Sequence, residues 1–247
     1  NAVPHDQLTP LDRWMLDAWS RLEQEVYDAF GRFEFHIVYQ KVSQFTAVEI
    51  SSVYHDLVKD RLYSNAAESH ARRSTQTVLH HMVRQLCQTL SPMLVFTSDE
   101  AWEFIPGVKD GDSVHLQEWK PSNFRLSEQE HADWVRWMAL RDQVLAKLED
   151  ARREKVIGKS LEAKVTIQLP FDEVNRLKNN HTVIREILNV SQLEWIEGES
   201  LEICVTKAEG SKCKRCWHWE LDVGNHEVHP EICKRCVDAV ESQKVTD

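Results

Sequence analysis

Leu11, Trp14, Ala18, Leu22, Val26 and Ala29 recur every three or four residues, the spacing that places side chains on one face of an α-helix. Thr9-Pro10-Leu11-Asp12 opens this segment with a capping hydroxyl, proline at the first helical position and an acid in the first turn, and Gly31 ends it. A second helical pattern runs over 35–63 through Val38, Val42, Phe45, Val48, Val53 and Leu57, and the polar stretch 64–69 breaks it. The third helix is predicted over 69–90, with Val78, Met82, Leu86 and Leu90 on one stripe. Ser91-Pro92 interrupts that stripe because proline has no backbone N–H to donate. Thr97-Ser98-Asp99-Glu100 then reads as a capping box for a short helix to Ile105, stopped by Pro106-Gly107. After an irregular stretch over 108–124, Ser127-Glu128-Gln129-Glu130 opens a fourth long helix through Trp134, Trp137, Val144, Leu148 and Ala151 to Ile157.

Beyond Gly158 the period changes from helical to twofold. Ala163, Val165, Ile167 and Leu169 alternate with polar residues, as do Leu201, Ile203 and Val205. Short helices are predicted over 174–177 and 183–188, and a strand over 192–196. The expected architecture is mainly α: a helical bundle over residues 1–125, a long helix plus a small α/β junction domain over 126–206, and a cysteine-rich end over 207–247.

Length and composition agree with that partition. A chain of 247 residues exceeds the usual domain size of roughly 100–150, so two or three units with their own cores are expected. Only 7 glycines and 7 prolines favour long helices over a turn-rich β fold. No apolar run approaches the roughly 20 residues that span a bilayer, and the N-terminus has no secretory pattern. The expectation is therefore a cytoplasmic chain without a membrane partner.

Cysteine spacing carries the sharpest chemistry. Cys213-x-x-Cys216 and Cys233-x-x-Cys236 are separated by sixteen residues. A two-residue gap lets one tight turn aim both thiolates at a single ion, and two such turns close a tetrahedral site with no position left for water. The expectation is one structural zinc ion rather than a redox pair or disulfides, because cytosolic paired CxxC motifs favour metal. With four thiolates available, His218, His226 and His229 are expected to face solvent, and Cys87 and Cys204, alone within apolar patterns, read as packing residues.

Charge around these turns is local. The chain carries a net −10, from 40 acidic and 30 basic residues. Lys212, Lys214 and Arg215 nevertheless crowd the first cysteine turn, and Lys234 and Arg235 the second. Trp217 and Trp219 follow Cys216; one is expected to offer a face for stacking a base, the other to form the miniature core of the ribbon. Lys59, Arg61, Arg72, Arg73 and Arg84, against Asp60 and Glu68, give the end of the second helix and the third helix a local basic excess, and they are candidates for phosphate contacts.

Three motifs in order, "KDRLYSNAAESHARRSTQTVLHHMVRQLCQTLSPMLVFTSDEAWEFIP" at 59–106, "EKVIGKSLEAKVTI" at 154–167 and "EGSKCKRCWHW…EICKRCV" at 209–237, closely resemble the C-terminal third of the bacterial isoleucyl-tRNA synthetase family. The resemblance implies a helical anticodon-binding domain, a small junction domain and a zinc ribbon that together grip the anticodon stem-loop of isoleucine tRNA. It also implies, as partners, the catalytic and editing domains of one longer chain, and a monomer. The family's HIGH and KMSKS motifs do not occur in this sequence, so these 247 residues are not expected to activate isoleucine with ATP themselves. No catalytic residue is assigned.

Two readings from other classes stand beside this one. The ribbon is alternatively a structural cap with protein partners only. A similar ribbon also occurs in DNA glycosylases of the formamidopyrimidine family, which resemble one another in an N-terminal Pro-Glu; this sequence begins Asn1-Ala2-Val3 and carries a helical bundle foreign to that fold.

Overall fold

The structure, a computed structural model, describes residues 2–243. Its elements follow the order α1 (Pro10–Gly31), α2 (Phe35–Phe45), a wide helical segment (Thr46–Tyr54), α3 (His55–Ser64), α4 (His70–Leu90), α5 (Val95–Glu103) and α6 (Glu128–Arg153). After these come β1 (Ala163–Leu169), α7 (Phe171–Lys178), α8 (His181–Leu188), β2 (Gln192–Glu197), β3 (Glu202–Lys207), β4 (Ser211–Lys212), β5 (Trp219–Glu220) and α9 (Lys234–Gln243). The described residues group into two compact units. One holds the chain up to Val58 together with His70–Ser127; the other holds Lys59–Ser69 and the chain from Glu128 onward. The mainly α architecture with a small α/β portion and a cysteine-rich ribbon is the one the sequence predicts.

In the first unit α1 packs against α2 and α4, burying Leu11, Met15, Leu16, Trp19 and Val26 with Val38, Val42, Val78 and Met82. Thr9 caps α1 as expected, its hydroxyl accepting from the Asp12 backbone N–H. Asp12 itself is fully buried and accepts hydrogen bonds from the hydroxyls of Thr9 (2.7 Å), Tyr54 (2.6 Å), Thr75 (3.0 Å) and Ser74. A buried carboxylate is tolerated only with such partners, so this one ties α1, the end of the wide segment and α4 to a single register.

Two predictions in this unit need correction. The single helix expected over 35–63 is interrupted by Thr46–Tyr54, where hydrogen bonds run from i to i+5. That wider turn holds an extra residue and rotates the following side chains, so Ile50 and Tyr54 are buried where the 3.6-residue pattern selected Val48, which lies exposed. The expected capping box at Thr97 does not cap: α5 begins at Val95, and Asp99 accepts from Ser113 Oγ (2.7 Å) and Val114 N (3.0 Å). Cys87 is buried with Trp102, Ile105 and Val114, in keeping with a packing role.

The second unit is built on a three-stranded sheet in the order β2-β1-β3, with β1 parallel to β2 and antiparallel to β3. Ala163, Val165, Ile167 and Leu169 alternate inward along β1 and are buried, with Val174, Ile184, Ile187 and Leu188 from the crossover helices in the same core. The parallel pair needs that crossover, which is why α7 and α8 lie between β1 and β2 in sequence. Helix α6 packs on β3 and α8, and the Arg141 side chain donates to the Ile187 carbonyl at 2.9 Å. Cys204 is exposed on β3, because its position falls on the face opposite the inward residues; it is not the packing residue the sequence suggested. Among the described residues no helix is long and apolar enough to cross a membrane.

Candidate metal centre and nucleic-acid interface

The two cysteine turns arise from different local structures. The first closes the short β4–β5 hairpin, whose entry at Gly210 has φ +87° and runs so near the opposite strand that a Cβ would sit 2.4 Å from the Glu220 carbonyl oxygen. Glycine is the residue that fits there. The second turn leads directly into α9, whose Lys234 N–H is capped by Asp222 Oδ2 at 2.8 Å.

These turns bring the Sγ atoms of Cys213, Cys216, Cys233 and Cys236 within 4.8 Å of one another, all four buried. Cys216 and Cys233 have their sulfurs 3.7 Å apart, far beyond a disulfide bond and close to the edge of about 3.8 Å that a tetrahedral zinc with 2.3 Å bonds requires. Val223 and Ile232 pack on the quartet, which forms a buried cluster of its own. The donor set therefore fits one structural zinc ion, which when bound ties the two turns together.

The thiols have unequal acidity. Burial pushes Cys213 up, but backbone N–H groups of Cys216, Cys233 and Arg215 outweigh it and bring this thiol to about 7. Cys216 is pushed up to about 12, chiefly by its bond to Cys233, and Cys236 to about 11, chiefly by its bond to Cys216. At Cys233 a bond to Cys216 pulls down while Cys236 and burial push harder, leaving it at about 12. Ionising all four together calls for a cation among them, which is the chemistry of a thiolate metal site.

The basic candidates divide sharply. Lys212, Lys214 and Lys234 are exposed, Lys214 beside Glu231 in a surface ion pair. Arg215 turns inward instead, donating to the Ser64 carbonyl, to the Tyr63 carbonyl at 3.4 Å and to Cys236 Sγ at 3.7 Å. Arg235 grips both Asp60 carboxylate oxygens, at 2.6 and 2.9 Å, and Asn65 Oδ1 at 2.9 Å. Burial pushes Asp60 up, yet the Arg235 hydrogen bonds and charge outweigh it and hold the carboxyl below its usual range. Arg61 is buried and forks onto both oxygens of Glu186 in α8. Of the remaining candidates, Lys59 is exposed, Arg72 and Arg73 are half-buried on α4, and Arg84 lies over the Trp102 ring at 4.5 Å.

The tryptophans separate as well. Trp217 is 57% exposed and holds φ +67°, a left-handed backbone that a non-glycine side chain adopts at a cost of about 1–2 kcal/mol. Its N–H donates to the Cys213 carbonyl at 3.0 Å, which is what sets the turn. Trp219 is half-buried in β5 beneath Lys207 at 5.0 Å. Lys212 and Lys159 approach the Trp217 ring at 5.8 and 5.9 Å. Lys159 lies inside the 154–167 motif but is no basic candidate by sequence, because the ring it approaches is 58 residues further along the chain. Correction is also due for His218, which is only 14% exposed rather than solvent-facing. Burial first, then Arg185 and Arg235 against the opposing pull of Asp60, brings it down to about 4.

Helices followed by a buried thiolate quartet define a mainly α protein with a zinc finger. Residues 12–167 match the anticodon-binding domain of tRNA ligases, so the chain belongs to that family; residues 210–239 match the zinc finger found in FPG and IleRS. Relatives similar to it include isoleucine–tRNA ligases. That of Alkalilimnicola ehrlichii is 38% identical over 264 residues, covering 100% of this chain and 28% of that protein. Those of Sodalis glossinidius and Shewanella sp. W3-18-1 are 36% and 37% identical, over 97% of this chain and 27% of theirs. The chain thus spans little more than a quarter of the length of these relatives.

Proposed function

We propose that the chain is the tRNA-binding C-terminal portion of an isoleucine–tRNA ligase, acting in the cytoplasm as a monomer. In this reading it recognises the anticodon stem-loop of isoleucine tRNA, while the ATP-dependent charging with isoleucine and its editing belong to domains outside this span. The observation that carries the reading is Trp217, a large exposed ring kept in a backbone conformation that favours glycine, with Lys212 and Lys159 beside it. Unstacked loop bases are read on aromatic faces and by their edges, and each stacked base contributes about 1–3 kcal/mol. Lys212, Lys214, Lys234 and Lys59 offer exposed cations for phosphates, with Arg72 and Arg73 on α4 as further candidates. Lys214 can exchange Glu231 for a phosphate because an exposed pair is worth little. Arg61, Arg215 and Arg235, committed to contacts inside their unit, are assigned positioning roles instead.

The test is binding of the zinc-loaded chain to isoleucine tRNA at low salt, beside the same tRNA with its anticodon replaced. Low salt is needed because phosphate contacts weaken with ionic strength and the chain carries net −10. Preference for the intact anticodon that is lost in Trp217→Ala supports the reading. Equal affinity for both tRNAs, unchanged by that substitution, overturns it in favour of a structural cap.

A further inference from the structure

We propose that Arg215 and Arg235 are positioning residues through which the zinc site fixes the last turn of α3 and the 65–69 connection to α4. Each cysteine turn contributes one of them. Arg215 joins the Cys236 sulfur to the carbonyls of Tyr63 and Ser64, and Arg235 joins the second turn to Asp60 and Asn65. All of these residues belong to the second unit.

Helix α3 needs such help. The last carbonyls of any helix lack intrahelical partners, and the usual remedy is a glycine just past the end, in the left-handed conformation. Here Asn65-Ala66-Ala67 follows the last helical residue with no glycine, and Ser64 itself is only 3% exposed, so its carbonyl calls for protein donors. Arg215 supplies them from 151 residues away, with a positive charge at the negative end of the helix dipole. Arg235 adds a two-point grip one turn earlier, geometry a lysine does not reproduce. Because both arginines flank zinc ligands, their placement depends on the turns that the metal holds. Arg61 on Glu186 anchors α3 to α8 independently of the metal, which confines the dependence to the end of the helix and the connection after it.

This inference requires the zinc site and stands apart from tRNA recognition. Its test is hydrogen exchange of the zinc-loaded chain at the amides of 62–69, beside zinc affinity measured by chelator competition. Asp60→Asn is the first variant, since it lies on α3 and leaves every thiol and both cysteine turns intact. Its 62–69 amides are expected to exchange at least tenfold faster while 211–239 stay protected. Coupling is reciprocal, so the same variant should lose zinc affinity by a matching factor although it touches no ligand. Arg235→Ala should reproduce both effects, and Arg235→Lys should restore them only in part. Chelation of the unaltered chain should release 62–69 along with the ribbon. Unchanged zinc affinity in Asp60→Asn, or protection of 62–69 that survives chelation, would overturn the proposal.

Discussion

Tyr54 places its hydroxyl 2.6 Å from Asp12 Oδ1, a contact between residues 42 apart and both fully buried. It exists because the wide turn before α3 rotates Tyr54 inward. Hydrogen bonds to a charged acceptor contribute about 1.5–3 kcal/mol, so Tyr54→Phe should lower the stability of the first unit by that amount. Urea denaturation followed by tryptophan fluorescence would show it as a lower midpoint at unchanged slope. A midpoint identical to the parent chain would mean the remaining hydroxyls satisfy Asp12 alone.

Arg61 and Glu186 form a pair whose side chains are 8% and 22% exposed. Removing one partner of such a pair strands a buried charge, at a cost of about 3–5 kcal/mol. Arg61→Met and Glu186→Gln should each be strongly destabilising, and the double variant much less so than their sum. Additive losses in denaturation would show that the two side chains act separately.

His81 is brought down to about 4 by burial and then by the charges of His5, His80 and Arg84. Its pKa in the folded state lies below the unfolded value near 6.5, so the unfolded chain takes up the proton first as pH falls. The stabilising effect of a neutral His81 is complete above about pH 6.5, declines between 6.5 and 4, and amounts to at most about 3 kcal/mol. His81→Phe should flatten that decline when stability is measured across the window. An equally steep profile would place the proton uptake elsewhere.

Trp217→Gly tests whether strain and recognition are traded at φ +67°. Glycine should raise the stability of the zinc-loaded ribbon by about 1 kcal/mol while tRNA affinity falls by roughly 5- to 150-fold. Loss of both stability and binding would make the ring a packing residue.

Helical and twofold periods determine most elements from sequence, because each depends on which residues within a few positions are apolar. Cys213, Cys216, Cys233 and Cys236 were legible for a related reason: a CxxC turn is a local geometry, and four sulfurs in two such turns leave little freedom about what they hold. The wide turn over Thr46–Tyr54 was not legible, since the contact it serves, Tyr54 to Asp12, joins residues 42 apart.

Charged side chains mark the limit. Lys212 and Arg215 stand three residues apart in one basic run, yet the first lies beside the exposed Trp217 ring and the second caps the end of α3. Sequence alone determined the periodic elements, the thiolate quartet and the presence of basic residues around it. Only the tertiary structure decided which of those cations face solvent, because a long flexible side chain goes to whichever unsatisfied carbonyl or carboxylate the fold brings within reach, however distant in the chain.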